Sequence, residues 1–173
     1  VLAYNLVKKN TRSRGRERLF ELLESEIPQH SYVLLAFGEI DCRAHLLRHK
    51  TNEKRDLMDV VRECVDRYVS VLDEINARGY KIIVWGVIPS SYVSESFDRK
   101  YPLYGTPQER NNVTQLYNNI LRKHCQMKGY IYLSLYEYLL DEKGVADKWY
   151  YHDQVHLSQK AIPLLGKEIY RNM

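Results

Sequence analysis

The sequence predicts an α/β fold of three layers, in which helices cover a parallel sheet. Short and nearly continuous apolar runs at 31–37, 80–88 and 130–135 are typical of strands covered on both faces. Segments with apolar residues at helical spacing lie between these runs, and one more follows the last of them. Strands and helices that alternate at this spacing form βαβ units with right-handed crossovers, and such units build a parallel sheet.

Length and composition indicate one globular domain over 1–173. The chain has 173 residues, of which 45% are hydrophobic and 28% are charged. This balance is typical of a folded soluble domain and not of a disordered segment. No apolar run approaches the roughly 20 residues that a membrane-spanning helix needs, so we expect no membrane insertion. We find no linker, internal repeat or low-complexity segment.

The first third of the chain predicts a surface helix followed by a buried strand. The helix covers 12–27, and Pro28 ends it. The strand at 31–37 then runs into a cluster of polar groups, Gly38-Glu39-Ile40-Asp41-Cys42-Arg43. Open α/β sheets bind ligands at the carboxyl ends of their strands, so this cluster is a candidate site.

The middle of the chain repeats the pattern with a longer connection. A helix is predicted from about Glu53 to Arg78, where Gly79 supplies a stop signal, and the next strand follows at 80–88. The polar and aromatic segment from Tyr92 to Gly105 comes next. Connections of this length are often functional.

The third helix has a full start signature. Thr106 is suited to cap it, Pro107 fits its first position, and Glu109 completes a capping box. We expect this helix to reach Lys128 and to end at Gly129. A strand at 130–135, a short helix or turn at 136–140 and a final helix complete the chain.

A polar loop before the last helix carries an Asp-x-x-His pair. Asp153 and His156 lie three residues apart, and Ser158 is suited to cap the helix that follows. A carboxylate that accepts the Nδ1 proton of a histidine fixes its tautomer and leaves Nε2 as a base. Such pairs are also common as capping or surface residues. Because of its context, we interpret this pair as the base and the orienting residue of a nucleophile–base–orienter relay.

Other clusters favour ordinary roles. The net charge is +4, and we interpret the basic cluster at 8–18 as a solvated face, with no nucleic-acid partner expected. His45 and His49 have helical spacing but no evident third ligand, so we expect no metal site and no cofactor. Asp147 and Trp149 are candidates to flank the cleft, and the alternative for Trp149 is that it packs beneath the loop. Three widely spaced cysteines indicate reduced thiols and a cytoplasmic location.

The order of these pieces resembles the SGNH/GDSL hydrolase superfamily, whose flavodoxin-like α/β/α fold serves esterases and acyltransferases. Asp153-Gln154-Val155-His156-Leu157 is similar to the family's Asp-x-x-His block. Gly38-Glu39-Ile40-Asp41 is similar to its Gly-x-Asn-Asp block, and one bacterial branch has the same Gly-Glu-Ile-Asp-Cys-Arg string. The segment from Gly105-Thr106-Pro107 to Asn118 resembles the helix that follows the fourth strand in that branch. The resemblance covers nearly the whole chain.

The resemblance implies catalytic roles for Asp153 and His156, with Gly38, Glu39, Ile40, Asp41 and Arg43 near the substrate or the oxyanion. Two blocks depart from the family. No Gly-Asp-Ser motif occurs here, so we expect the first strand and its nucleophilic serine to precede Val1. The oxyanion-hole Asn falls at Ile40, which leaves the backbone N–H groups of 38–40, or Arg43, as replacements. We expect Asp41 to be structural. Arg43 either pairs with Asp41 or Glu39 or faces the substrate.

The resulting expectation is a serine-type esterase or O-acyltransferase that acts on an acylated carbohydrate or a similar polar ester. The alternative is a catalytically incomplete domain that binds a glycan or serves as a scaffold, possibly one domain of a longer polypeptide. A nucleotide-binding domain is disfavoured because no Gly-rich phosphate loop follows any strand.

Overall fold

The computed structural model describes residues 2–90, 92–93 and 102–172. In these ranges the helices are α1 (Gly15–Glu26), α2 (Leu46–Glu53), α3 (Leu57–Ala77), α4 (Pro107–Lys128) and α5 (Ile162–Asn172). The strands are β1 (Tyr32–Leu35), β2 (Lys81–Trp85) and β3 (Ile131–Leu133). None of the described helices is long and apolar enough to cross a membrane.

The three strands form one parallel sheet in the order β1-β2-β3. Tyr32 aligns with Lys81, and Ile83 aligns with Ile131. Helix α3 connects β1 to β2, and α4 connects β2 to β3. Right-handed crossovers on one face of a sheet place each new strand beside the previous one, so sheet order follows chain order. The sheet therefore grows in one direction, and both crossover helices pack against each other on one face. The parallel α/β prediction is confirmed.

The pleat of β2 divides its side chains between two cores. Ile82 and Val84 join the main core, to which α3 and α4 contribute most of the apolar residues. Trp85, on the opposite face, joins a smaller core under α5, built around Leu135, Leu139 and Ala161. Helices thus cover both faces of the sheet, as the three-layer prediction requires.

The prediction that both faces of the first strand are covered was wrong. Val33 and Leu35 of β1 pack into the main core. Tyr32 and Leu34 point the other way, and their exposed fractions are 54% and 56%. The helix α5 that covers this second face contacts β3 at the far side of the sheet, so it leaves the surface over β1 open.

Helix ends follow the local signals closely. Thr106 and Glu109 form the predicted capping box at the start of α4, and Gly129 ends that helix at φ 70°. The start of α3 was predicted too early, because Asp56 caps the helix by accepting from the Met58 N–H. The preceding residues form the separate helix α2, which had not been predicted.

The three cysteines are free and buried. Cys64 and Cys125 have no exposed surface, and Cys42 is 1% exposed. Burial raises the pKa of each thiol above its ordinary value. Such thiols pack as small apolar side chains in the main core.

Candidate active site

The loop before α5 holds the predicted imidazole–carboxylate pair. Backbone contacts hold the two ends of this loop together: the His152 N–H donates to the His156 carbonyl at 2.8 Å, and Tyr151 forms an antiparallel bridge with Leu157. Inside the loop, Asp153 Oδ1 accepts from the N–H groups of Val155 and His156, each at 2.7 Å. The other oxygen, Oδ2, lies 2.7 Å from His156 Nδ1. Because a carboxylate accepts here, Nδ1 carries the proton and Nε2 is the basic nitrogen.

The same contacts set the charge of Asp153. Partial burial raises the pKa of the carboxyl group, but the hydrogen bonds from the His156 ring and from the two N–H groups outweigh it and lower the pKa to about 2. The carboxylate is therefore charged throughout the neutral range. It can orient the imidazole and stabilise an imidazolium without taking up a proton.

The second half of the site is the turn at the end of β1. Gly38 adopts φ +112°, a conformation that L side chains rarely adopt. A Cβ at this position would lie 2.6 Å from the Tyr117 ring, so the glycine is also needed for packing. Its carbonyl accepts from the Cys42 N–H at 2.9 Å and leads into a π-helical turn at Asp41–His45. Such wide turns are frequent at functional sites.

Glu39 and Arg43 form an ion pair across this turn. Arg43 Nε donates to Glu39 Oε1 at 2.5 Å, and its Nη1 donates to the Pro102 carbonyl at 2.7 Å. The prediction left two alternatives for Arg43, and the structure pairs it with Glu39. The guanidinium is buried, with 4% of its side chain exposed.

The turn and the loop meet at one rim of the sheet. Burial raises the pKa of Glu39, while the charges of Arg43 and, more weakly, His156 lower it. Glu39 and Leu157 also line one small cavity at the carboxyl ends of β1 and β2. Glu39 of the turn therefore lies beside the residue that follows His156 in the chain.

Asp41 and Ile40 contribute differently. Asp41 is fully buried and accepts from the N–H groups of Ala3 at 2.8 Å and Tyr4 at 3.3 Å. Burial raises its pKa, although these hydrogen bonds oppose the shift. Asp41 thus fastens the N-terminal segment to the turn. Ile40 has helical backbone angles, φ −66° and ψ −34°, and offers only backbone groups as hydrogen-bond donors.

A set of buried polar residues on α4 was missed by the sequence analysis. Asn118 accepts from the Val87 N–H at 2.9 Å and donates to its carbonyl at 2.7 Å. Asn111 accepts from the Ser90 N–H at 2.9 Å, and Arg110 donates to the Ser90 hydroxyl at 3.0 Å. These side chains hold the loop after β2. The sequence signal that could have indicated their burial is their position at helical spacing beside the apolar stripe of α4.

The loop after β2 in turn supports the histidine loop. The Tyr151 hydroxyl donates to the Pro89 carbonyl at 2.7 Å, and the Tyr92 and Tyr151 rings meet edge to face at 6.3 Å. Ser90 is buried against Arg110, which disfavours it as a nucleophile. Ser91 lies outside the described residues, and so does most of the predicted loop 92–105.

Two further candidates are resolved by their contacts. Trp149 does not pack beneath the loop, because it is 63% exposed and Lys160 Nζ lies 3.3 Å from its ring centroid. His49 Nδ1 lies 2.6 Å from Glu53 Oε1, and His45 Nδ1 lies 2.8 Å from Arg48 Nη2. Within the described ranges, no group of three or more His, Cys, Asp or Glu side chains could hold a metal ion.

We expect the pKa of Asp153 to respond to the loss of the imidazole. In His156→Ala it should rise from about 2 toward the ordinary 3.8 but stay below it, because two backbone N–H groups still donate. Since the folded value is the lower one, this stabilisation is present above pH 3.8 and is lost as pH falls toward 2. Carboxyl ¹³C chemical shifts measured against pH test this. An unchanged pKa would show that the ring does not donate to Asp153.

Comparison with known proteins assigns the fold. No protein-family model and no curated protein matches the sequence. Among solved structures, a GDSL-like lipase from Bacteroides thetaiotaomicron aligns with a TM-score of 0.53 at 12% identity, over 98% of this chain and 97% of the lipase. A protein assigned as an SGNH hydrolase from Slackia heliotrinireducens gives 0.52 at 13% identity, over 100% and 79%. The acetyl xylan esterase AlAXEase gives 0.51 at 14%, over 90% and 74%. The chain has the SGNH/GDSL hydrolase fold.

Proposed function

We propose, starting from the SGNH hydrolase fold of this chain, that it carries the base and the orienting carboxylate of a serine-type ester hydrolase. The observation that carries the proposal is the 2.7 Å contact between His156 Nδ1 and Asp153 Oδ2 at the rim of the sheet. The nucleophile is a serine on a segment that precedes Val1. The open surface over Tyr32 and Leu34 supports this, since it offers such a segment an apolar place to pack.

The reaction follows from the geometry of the pair. His156 Nε2 takes the serine proton as the hydroxyl attacks the ester carbonyl, and it later returns a proton to the leaving alcohol. Asp153 remains a carboxylate and stabilises the imidazolium. The acyl-serine is then released by water in hydrolysis, or by another hydroxyl in acyl transfer. The proposal includes both outcomes.

The tetrahedral intermediate also needs hydrogen-bond donors for its oxyanion. Ile40 has no side-chain donor, and the buried Arg43 guanidinium already donates to Glu39 and to Pro102. These contacts favour backbone N–H groups of the turn 38–40 over Arg43. This turn would then be the part of the site that stabilises the developing charge.

We propose an acylated carbohydrate or a similar polar ester as the substrate. An acetyl xylan esterase shares the fold. An exposed indole is also a suitable stacking surface for a sugar ring, and Trp149 presents one on the loop segment that leads to Asp153. A cytoplasmic location is part of the same proposal, supported by the three buried, free cysteines.

The second candidate is a catalytically incomplete domain that binds a glycan or scaffolds a larger protein. Ile40 favours it, because this residue has no side-chain hydrogen-bond donor where the resemblance places the oxyanion-hole Asn. In this case His156 would have no nucleophile to activate, and the rim would serve binding alone.

One experiment separates the two candidates. The full-length protein, including the sequence encoded before Val1, is treated with diethyl p-nitrophenyl phosphate, which phosphorylates activated serines. We expect stoichiometric labelling of one upstream serine, located by peptide mass spectrometry, with parallel loss of p-nitrophenyl acetate hydrolysis. Saturable binding of xylo-oligosaccharides with neither labelling nor turnover would identify the binding domain instead.

A further inference from the structure

Tyr151 joins the histidine loop to the loop after β2. Its side chain is 8% exposed, and its hydroxyl donates to the Pro89 carbonyl at 2.7 Å. Its backbone forms the bridge with Leu157 that closes the histidine loop, and the next residue, His152, donates its N–H to the His156 carbonyl. One residue thus closes the loop that carries the proposed base and fastens that loop to a different part of the chain.

The acceptor of this hydrogen bond is itself held in place. Pro89 and Ser90 are buried. The Ser90 N–H donates to Asn111 Oδ1 at 2.9 Å, and Arg110 Nε donates to the Ser90 hydroxyl at 3.0 Å. Arg110 Nη1 also donates to the Gly105 carbonyl at 2.5 Å. Since Arg110 is fully buried and Asn111 is 3% exposed, the Pro89 carbonyl belongs to a part of the structure with little freedom to move.

The hydrogen bonds inside the histidine loop leave one requirement of catalysis unmet. Asp153 Oδ2 lies 2.7 Å from His156 Nδ1, and Asp153 Oδ1 accepts from the His156 N–H. These bonds join residues of a single loop, so they orient the ring relative to Asp153 but not relative to the sheet. Proton transfer also depends on where Nε2 lies relative to the nucleophile, and a misplacement of about 1 Å can lower a rate about 100-fold.

Contacts between the histidine loop and the rest of the fold differ in how narrowly they fix a position. Leu157 packs against the smaller core, but apolar contacts are non-directional and tolerate small shifts. The hydrogen bond from Tyr151 to Pro89 has a preferred length and angle. It therefore fixes the loop more narrowly than the apolar packing does.

We propose that Tyr151 is a positioning residue for His156. Its hydroxyl, bonded to the Pro89 carbonyl, holds the loop so that His156 Nε2 lies where it takes the serine proton. The inference rests on the proposed function, because it takes His156 as the base. It adds a connection from the buried polar residues of α4, through Pro89 and Tyr151, to the imidazole.

Tyr151→Phe removes only the hydroxyl. In the full-length protein we expect the kcat of p-nitrophenyl acetate hydrolysis to fall about tenfold while KM stays within about twofold. Tyr80→Phe is the matched control, because Tyr80 is 4% exposed and its hydroxyl donates to the Leu23 carbonyl at 2.6 Å, at the amino end of β2. Both variants should lose a similar few degrees of Tm, but Tyr80→Phe should keep kcat within about twofold of the native value. Equal kcat values for the two variants overturn the inference.

A second comparison tests whether Tyr151 acts through His156. The kcat is measured for Tyr151→Phe in the native background and in the His156→Ala background. A positioning role predicts about a tenfold loss in the first background and less than about a twofold loss in the second, because no imidazole remains to be positioned. The same loss in both backgrounds would show a role independent of His156 and would overturn the inference.

The order of the loop can be measured without turnover. Backbone ¹⁵N order parameters for 152–157 should fall in Tyr151→Phe relative to the native protein and stay unchanged in Tyr80→Phe. Unchanged order parameters in both variants overturn the inference whether or not the protein hydrolyses esters. If no hydrolysis depends on His156, the proposed function fails, and a fall in the order parameters of Tyr151→Phe would still support Tyr151 as the residue that holds the loop.

Discussion

Replacement of His156 by alanine is expected to lower the kcat of p-nitrophenyl acetate hydrolysis in the full-length protein by about 100- to 10,000-fold. The side chain removed is the proposed proton carrier, held by Asp153 at 2.7 Å. The KM should change much less than kcat, because proton transfer assists the transition state and not the bound ester. Steady-state kinetics at neutral pH measure both values.

His152 provides the matched control. It is an exposed histidine in the same loop, and the loop contact that it makes, to the carbonyl of His156, comes from its backbone N–H. His152→Ala should therefore leave kcat within about twofold of the native value. His152→Ala should also unfold close to the native Tm. His156→Ala should unfold slightly below it at neutral pH, because the hydrogen bond to the Asp153 carboxylate is lost. Equal rates for His156→Ala and the native protein would refute the proposed base.

Replacement of Gly38 by alanine is expected to lower the free energy of unfolding by about 2 to 5 kcal/mol. Two costs combine. At φ +112° any L side chain is strained, and the new Cβ would lie 2.6 Å from the Tyr117 ring, itself fully buried. The ring cannot move without disturbing the main core. Urea denaturation of the variant and of the native protein measures the difference.

Gly144→Ala separates the two costs. Gly144 also has a positive φ, +71°, but no atom of the described residues lies within 4 Å of the position its Cβ would take. This variant should show the backbone cost alone, about 1 kcal/mol. If both variants lose the same stability, the Tyr117 contact relaxes freely and the packing role assigned to Gly38 is wrong.

Local signals explain why most of the fold was predictable. The capping box of Thr106 and Glu109 and the stop at Gly129 need only short-range contacts, and the structure contains both. Helix α2 was missed because only Leu46 and Leu47 of its eight residues are buried, so its sequence shows little periodicity. The open face of β1 was also missed, since an apolar run does not reveal whether a neighbouring element covers it.

The site was predictable in part for the same reason. Asp153 and His156 interact within one loop, so their spacing carried the information. The pairing of Arg43 with Glu39 was one of two alternatives, and the burial of Arg110 and Asn118 depends on a loop from another part of the chain. Tertiary contacts of this kind leave no local pattern that a single sequence reveals.

The reactivity of the buried cysteines can be used to measure how often the structure around them opens. A thiol that is sequestered and held protonated reacts with iodoacetamide only when the structure around it separates. Cys64 in α3 and Cys125 in α4 face the same core from different helices. Their alkylation rates, followed peptide by peptide, would show whether these two helices separate from the sheet together or one at a time.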